Sequence, residues 1–399
     1  VTNTSNGERW QTATSARGRF FIEYLSVGGP YRIEVHAVGY QPAQRDSIFL
    51  ALGQRLTAQF VLVPAIPQLE EITVTGKADP RFSSAHTGPA QIISDSMIAR
   101  LPVRVRAYTE LALLSPQVTI SPNGGLSFGG QHDRFNSIQV DGVTNNDLFG
   151  CACSGTGTPG WAVGLNTFTP EAVKELQVVS APFDVRYGNF AGGLINAVTR
   201  SGSNQVEGSI VGYIEGSALS GSSGNQVNDF SRGEFGLTLG APIVRDRVAL
   251  FVNAAVQRQV FDQSVPAPGS DTTGGADSAG VGIRHQSLVR FQNILRRDGV
   301  EPGAFTRGDF SAPTQNFFAK LTVQLGVNSR LELSHNYGHG TARDETGPRS
   351  PGFYGLSSNG RETPETVNAT RMAWTAALGS HYSNELLLAR VEDRRTCHP

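Results

Sequence analysis

Cysteine is nearly absent from this sequence: three residues in 399, at Cys151, Cys153 and Cys397. That excludes a disulfide-stapled scaffold. Cys151 and Cys153 form a C-x-C pair in a glycine-rich stretch, but no histidine or third cysteine flanks them at a zinc-like spacing. Neither a metal nor any other cofactor is expected. Charge is also scarce. Asp, Glu, Lys and Arg make up 17% of the chain and the net charge is -1, against about 25% charged residues in ordinary globular domains. Nothing here would hold a polyanion such as nucleic acid. No run of about 20 apolar residues occurs, which excludes a transmembrane helix. There is no signal peptide, but the chain starts at Val1 and reads as a piece cut at both ends, so this says nothing about location. Neither H-E-x-x-H nor G-K-[ST] occurs. Gly155 to Gly160 matches G-x-G-x-x-G but follows no strand and contains Pro159, so dinucleotide binding is not expected. No catalytic constellation is found, and an enzyme is not the expected function.

What the chain has instead is glycine, 46 residues of it, with many small polar residues. That composition predicts turns and long loops in a mainly β protein. Residues 1–64 read as a small all-β module. Phe20 and Ile22, then Tyr31, Ile33 and Val35, then Leu56 to Leu62 alternate with polar or small neighbours, the period of half-buried strands. Turn signals at Arg17-Gly18, Gly28-Gly29-Pro30 and Gly39 to Pro42 separate them. Residues 65–80 read as a proline-bounded linker that contains one β-prone run, Glu71-Ile72-Thr73-Val74-Thr75. On spacing alone this run is either an edge strand of a neighbouring domain or an unpaired strand that adds to a partner's sheet.

Residues 81–205 read as a mixed α/β domain. Gln91 to Ile93 is a strand, with a helix from Ser96 to Leu101 capped by Ser94 or Asp95. Tyr108, Leu111 and Leu114 mark a second helix. Ser137 to Val140 is a strand that ends in an Asp141-Gly142 turn. A third helix starts near Pro170 and leads into a strand from Glu175 to Val179. Asp141, Asn145, Asn146 and Asp147 are oxygen-rich without the EF-hand spacing; they are either a weak Ca²⁺ site or a solvated turn.

From about Val206 the chain changes to segments of about ten residues with period two, the length a transmembrane strand needs. Seven are found: 206–215, 233–241, 248–256, 317–325, 330–336, 371–378 and 381–391. Val248, Leu250, Val252, Ala254 and Val256 share one face, opposite Arg247, Asn253 and Gln257. Lys320, Thr322 and Gln324 oppose Phe317 and Leu321; Arg330 and Glu332 oppose Leu331 and Leu333; Arg371 and Thr375 oppose Met372 and Trp374. His335 and His339 share a strand face without enough further ligands for a metal. A β-sandwich gives the same alternation as a barrel. The connections favour the barrel: Gly326 to Ser329 is short, whereas Asp262 to Ala312 and Gly338 to Asn368 are long and polar.

Three stretches resemble known families. "TSARGRFFIEYLSVGGPYRIEVHAVGY" is similar to the carboxypeptidase regulatory-like domain, with its first strand missing; that implies a transthyretin-like β-sandwich without catalysis. "LEEITVTG" resembles a TonB box, which favours the strand-addition role for Glu71, Ile72, Thr73, Val74 and Thr75. "AQIISDSMIARLP", "SIQVDGV" and "PEAVKELQVVSAPFDVRYGNFAGGLINAVTRSGSN" resemble the plug domain of TonB-dependent receptors. Its motif falls on Asp141, Gly142, Pro182, Tyr187, Gly188, Gly192, Gly193, Asn196, Thr199 and Arg200. Ala181 stands where a glycine is usual, and Phe128-Gly129-Gly130 where many plugs have Arg-Gly, which suggests the Oar-like subfamily.

The expected fold is therefore mainly β: a regulatory-like sandwich at 1–64, a linker at 65–80, a plug at 81–205, and an incomplete antiparallel transmembrane β-barrel at 206–399. Seven strands cannot close a receptor barrel, which needs about 22, so the natural protein is expected to continue beyond Pro399. The resemblance implies an outer-membrane receptor that takes up an extracellular substrate. Its N-terminal domain would lie in the periplasm, and TonB and outer-membrane lipid would be its partners. The rival from another class is a secreted or surface-attached β-rich adhesion or carbohydrate-binding protein.

Overall fold

The computed structural model describes residues 1–64, 90–101, 108–121, 125–147, 158–160, 163–166, 168–180, 190–219, 229–263, 285–303, 308–344, 356–378 and 382–396. The N-terminal module holds a three-stranded antiparallel sheet in the order β1 (Thr2–Asn3), β2 (Gly28–Val35) and β3 (Ala43–Leu50). Tyr31 and Ile33 point inward from β2 and are buried; Arg32 between them points out and meets Asp46 of β3 at 2.5 Å. Two expected strands differ. Residues 20–22 and 56–62 lie outside this ladder, although the rings of Phe20 and Phe60 stand 6.5 Å apart. β3 was not foreseen. Gln44, Arg45 and Asp46 interrupt any apolar alternation, and pairing to β2 makes this segment a strand.

The second body is built on a five-stranded sheet. Its pieces in chain order are β4 (Ala90–Ser94), α1 (Asp95–Ile98), α2 (Tyr108–Ala112), the hairpin of β5 (Val118–Ile120) and β6 (Leu126–Phe128), β7 (Ser137–Val140), β8 (Val143–Thr144), β9 (Val173–Val179) and β10 (Leu194–Thr199). The sheet order is β4-β9-β10-β7-β8, with β10 parallel to β7. Ile93, Leu111, Phe128, Leu176, Val178 and Ile195 are buried in one core, each side chain contributing about 1.5–3 kcal/mol. The helices are shorter than expected. α1 starts at Asp95, and its N-cap Ser94 makes no side-chain cap; instead the Asp95 carboxylate accepts from the Ser96 N–H at 2.8 Å. α2 stops at Ala112, which leaves Leu114 exposed. The turn at Pro170–Ala172 is a single 3-10 turn.

The third body is one sheet of seven long strands: β11 (Glu207–Gly216), β12 (Phe230–Val244), β13 (Val248–Gln263), β14 (Gly308–Gly326), β15 (Ser329–Asp344), β16 (Arg361–Leu378) and β17 (Tyr382–Arg395). Each pairs antiparallel with the next in chain order. All seven expected segments fall on strands; β11 keeps the expected length, shifted by one residue, and the other six run farther. The stretch Asp262 to Ala312 narrows because β14 starts at Gly308, and it contains a helix not foreseen, α3 (His285–Arg297). Gly338 to Asn368 narrows because β15 reaches Asp344 and β16 starts at Arg361. Polar residues extend these ladders: His339 faces Thr366 across the strands, and their side chains bond at 2.9 Å. His335 does the same with Thr370 at 2.8 Å, so both histidines are cross-strand pairs.

The two faces of the sheet separate as the alternation requires. Glu234, Thr238, Asn253, Gln257, Asn316 and Lys320 are buried on one face, whereas Phe235, Leu237, Leu239 and Phe317 are exposed on the other. The buried polar face packs on the plug-like body. A sandwich would bury the apolar face against a second sheet, and the described residues show the reverse.

Candidate functional site: the plug–barrel interface

The interface is built around the Asp141-Gly142 turn after β7. Both residues have positive φ, 49° and 79°, which suits an Asp-Gly pair. This turn aims the Asp141 carboxylate at the end of β10. It accepts from the Thr199 N–H at 2.8 Å and from the Thr199 hydroxyl at 2.6 Å. Gly142 N–H points at the Asn196 side-chain oxygen at 3.4 Å. Lys320, reaching in from β14, donates to Asp141 at 3.3 Å and to Thr199 Oγ1 at 3.2 Å. Lys320 is 3% exposed, so its charge is removed from water and needs these partners.

Four motif residues therefore converge on one contact with the barrel wall. Gly192 and Gly193 do a different job. A Cβ on Gly193 would lie 1.9 Å from the Phe128 ring, and one on Gly192 would lie 2.3 Å from Asn136 Oδ1. Phe128, which stands at the subfamily departure, thus fills the space that glycine leaves. Arg200, next to Thr199, reaches the other way across the sheet, toward β9 and the end of β4. Its Nε donates to Val173 O at 3.4 Å, and its guanidinium lies 3.5 Å from Asp95, which Lys174 also holds at 2.7 Å. Pro182, Tyr187 and Gly188 lie outside the described residues, as do Glu71, Ile72, Thr73, Val74 and Thr75 and the cysteines at 151, 153 and 397.

The oxygen-rich stretch after Asp141 is tied into the fold rather than left as a solvated turn. Asn146 accepts from Ile138 N–H at 2.8 Å and donates to Asn136 O at 2.8 Å, pinning the hairpin of β7 and β8. Asp147 meets Arg395 at 3.5 Å. A second polar contact forms there: Arg395 also donates to Glu365, which is fully buried, at 2.7 Å, and Gly160 N–H donates to Glu365 at 2.9 Å. Thr169 bonds Asn253 at 3.0 Å. Gly160 is the only described glycine of the G-x-G-x-x-G string, and it serves the barrel contact. A G-x-S-x-G string does occur, from Gly125 to Gly129. Its Ser127 is buried within β6 of a hairpin rather than exposed on a strand-to-helix turn, so it lacks the setting of a nucleophile.

Sequence reasoning placed Lys320, Arg330, Glu332 and Arg371 on the polar face but gave them no partners. It missed Glu8. Glu332 accepts from Arg371 at 2.9 Å and lies 3.8 Å from Lys320 and 3.5 Å from Arg330. Arg330 meets Glu8 of the N-terminal module at 2.5 Å. Glu175 of β9 accepts from Leu52 N–H at 2.8 Å; burial pushes its carboxyl up to about 7, against the pull of Leu52 and Lys174. Charge pairs and hydrogen bonds carry most of the described interface, with small apolar clusters such as Ala172 with Phe251 and Phe318 between them.

Known proteins share these parts. A family model for the carboxypeptidase regulatory-like domain matches residues 1–63. The TonB-dependent transporter Oar of Myxococcus xanthus is 29% identical over 279 residues, 64% of this chain. The chain spans 24% of that relative's length. The outer membrane transporter YddB from Escherichia coli superposes with a TM-score of 0.53 at 14% identity, over 75% of this chain and 38% of YddB. A variant of the ferric enterobactin receptor from Pseudomonas aeruginosa gives 0.52 at 15% identity, over 77% of this chain and 40% of the receptor. Residues 1–63 thus match the carboxypeptidase regulatory-like domain, and the chain shares the fold of these outer-membrane proteins, with a plug-like body followed by an incomplete barrel.

Proposed function

We propose that this chain serves an outer-membrane import receptor energised by TonB, and that it divides at 1–64, 65–80, 81–205 and 206–399 into regulatory-like module, linker, plug and first barrel strands. The observation that carries the reading is the buried Lys320–Asp141 contact, in which the polar face of the strand sheet closes on the plug while its apolar face stays outward. That arrangement suits strands with lipid on one side and a plugged lumen on the other. The likeness to Oar supports the same assignment, and no catalytic role is proposed. In this reading a substrate binds from outside, and the segment Glu71 to Thr75 pairs by strand addition with TonB in the periplasm. The plug then moves. An interface made of hydrogen bonds and ion pairs suits such a motion, because water can replace each partner as the plug shears past the wall.

The test is a photo-crosslinking residue at Val74 in the full-length protein in cells, read by immunoblot for TonB. An adduct that disappears when TonB is deleted supports the reading. A receptor that reaches the outer membrane yet gives no adduct at Val74 or its neighbours contradicts it.

A further inference from the structure

The N-terminal module is not a loose appendage. It sits against the end of the strand sheet that carries the short turns. Asn328, in the turn between β14 and β15, donates its backbone N–H to Arg9 O at 3.0 Å and its side-chain N–H to Gln11 O at 2.9 Å. Asn204 N–H donates to Ser5 O at 2.8 Å. On the plug side, Leu52 holds Glu175. Within this contact lies Glu8, 2% exposed, which also accepts from Trp10 Nε1 and the Ser26 hydroxyl at 2.7 Å each.

Glu8 opens a row of alternating charge. It pairs with Arg330 at 2.5 Å; Arg330 lies 3.5 Å from Glu332; Glu332 lies 3.8 Å from Lys320; and Lys320 lies 3.3 Å from Asp141 on the plug. With Arg371 on Glu332 the row holds three charges of each sign. Glu8 and Asp141 close its two ends, one from each body that packs on the barrel wall. Charges buried this way tolerate one another only as a set. If Glu8 leaves, Glu332 must serve Arg330 alone as well as Arg371, and Lys320 falls back on Asp141. If Asp141 leaves, Lys320 leans on Glu332 and loosens its hold on Arg330. Each end therefore changes the affinity of the other, and the effect is reciprocal.

We propose that the regulatory-like module is a latch on the short-turn end of the barrel, and that its docking is coupled to the seating of the plug through Glu8, Arg330, Glu332, Lys320 and Asp141. This goes beyond the import reading and rests on it only for the direction of function. Residues 65–89 join the module to the plug, so a pull on that linker would load both ends of the row.

The experiment uses the full-length protein in its native membrane, in a background with the natural cysteines replaced by serine. The pair S5C and N204C reports docking as a disulfide, and needs neither substrate nor TonB. Its rate of formation on brief oxidation in resting cells is the readout, and a measurable rate is expected. E8Q should lower it several-fold. D141N, which touches no residue of the module, should raise it several-fold, because Lys320 then draws Glu332 away from Arg330 and leaves Arg330 to Glu8, with heat-modifiable mobility confirming an intact barrel. No disulfide in the parent pair overturns the latch. A loss with E8Q but an unchanged or lowered rate with D141N overturns the coupling. Because the readout is independent of TonB, a failed Val74 adduct leaves either result standing.

Discussion

Glu175 shows how a single side chain records the docking of one body on another. Its carboxyl is held up at about 7 rather than 4.5, first because it is buried, with Asp95 adding to the rise and Leu52 N–H and Lys174 opposing it. Release of the N-terminal module would return water to this group and drop its pKa. The docked state therefore binds more protons than the released one. The contribution to docking is full below pH 4.5 and is lost as the pH rises through about 7. Protection of the Leu52 amide from hydrogen exchange, corrected for the intrinsic rate, is expected to fall from pH 5 to pH 7. Glu175→Gln keeps an acceptor for Leu52 and removes the titration, so the profile should become flat and protection at pH 7 should rise. An unchanged slope in that variant would place the effect elsewhere. The residue scale is also where the sequence was least legible. Lys320 could be read as facing the lumen from its neighbours Phe317 and Leu321, but its partner Asp141 lies 179 residues away. Glu8 sits in a polar stretch with no periodicity, and only the docked module gives it a role.

At the scale of elements, alternation carried most of the information. β11 to β17 were legible because outward positions are mostly apolar and many inward positions polar. Their ends were not, because backbone pairing continues through Thr314, Asn316 and His339 where the apolar signal has stopped. β3 was hidden for the same reason, and its partner β2 was read from Tyr31, Ile33 and Val35 alone. In the plug, β4, β7, β9 and the Asp141-Gly142 turn were legible but β5, β6, β8 and β10 were not, and α2 was read two residues too long because Leu114 shares the helical spacing of Leu111 yet ends exposed. The two faces of β12 give a direct prediction. Leu237 points outward and Thr238 inward, where the Thr238 hydroxyl bonds Ser209 at 2.7 Å. If the outward face meets lipid, Leu237→Arg should cost about 2–4 kcal/mol near the bilayer midplane. Folding of the full-length protein into vesicles, followed by urea titration, measures this. Thr238→Ser keeps the hydroxyl and is expected to change little. A neutral Leu237→Arg would mean that this face is in water.

The whole molecule is three bodies held by polar contacts. The plug closes on the barrel through Lys320–Asp141, Thr169–Asn253 and Gly160–Glu365, and the N-terminal module closes on both through Arg330–Glu8 and Leu52–Glu175. Apolar clusters exist where the sheet meets the plug, such as Ala172 with Phe251 and Phe318, but they are small beside the core of the plug itself. Polar joints of this kind can exchange their partners for water, which suits the plug movement proposed for an import receptor. The central claim is the placement of that build, with lipid outside the strand sheet and the plug inside it. Nitroxide labels in the full-length protein in native outer membranes test it most directly, at Val252 and Leu321 on one face and at Ala255 and Ala373 on the other. The account predicts frequent collision with oxygen and little with a water-soluble relaxation agent at Val252 and Leu321, and little with either at Ala255 and Ala373. Collision with the water-soluble agent at Val252 and Leu321, or exclusion of oxygen from them, would mean that this face meets water or another sheet, and would contradict the receptor reading.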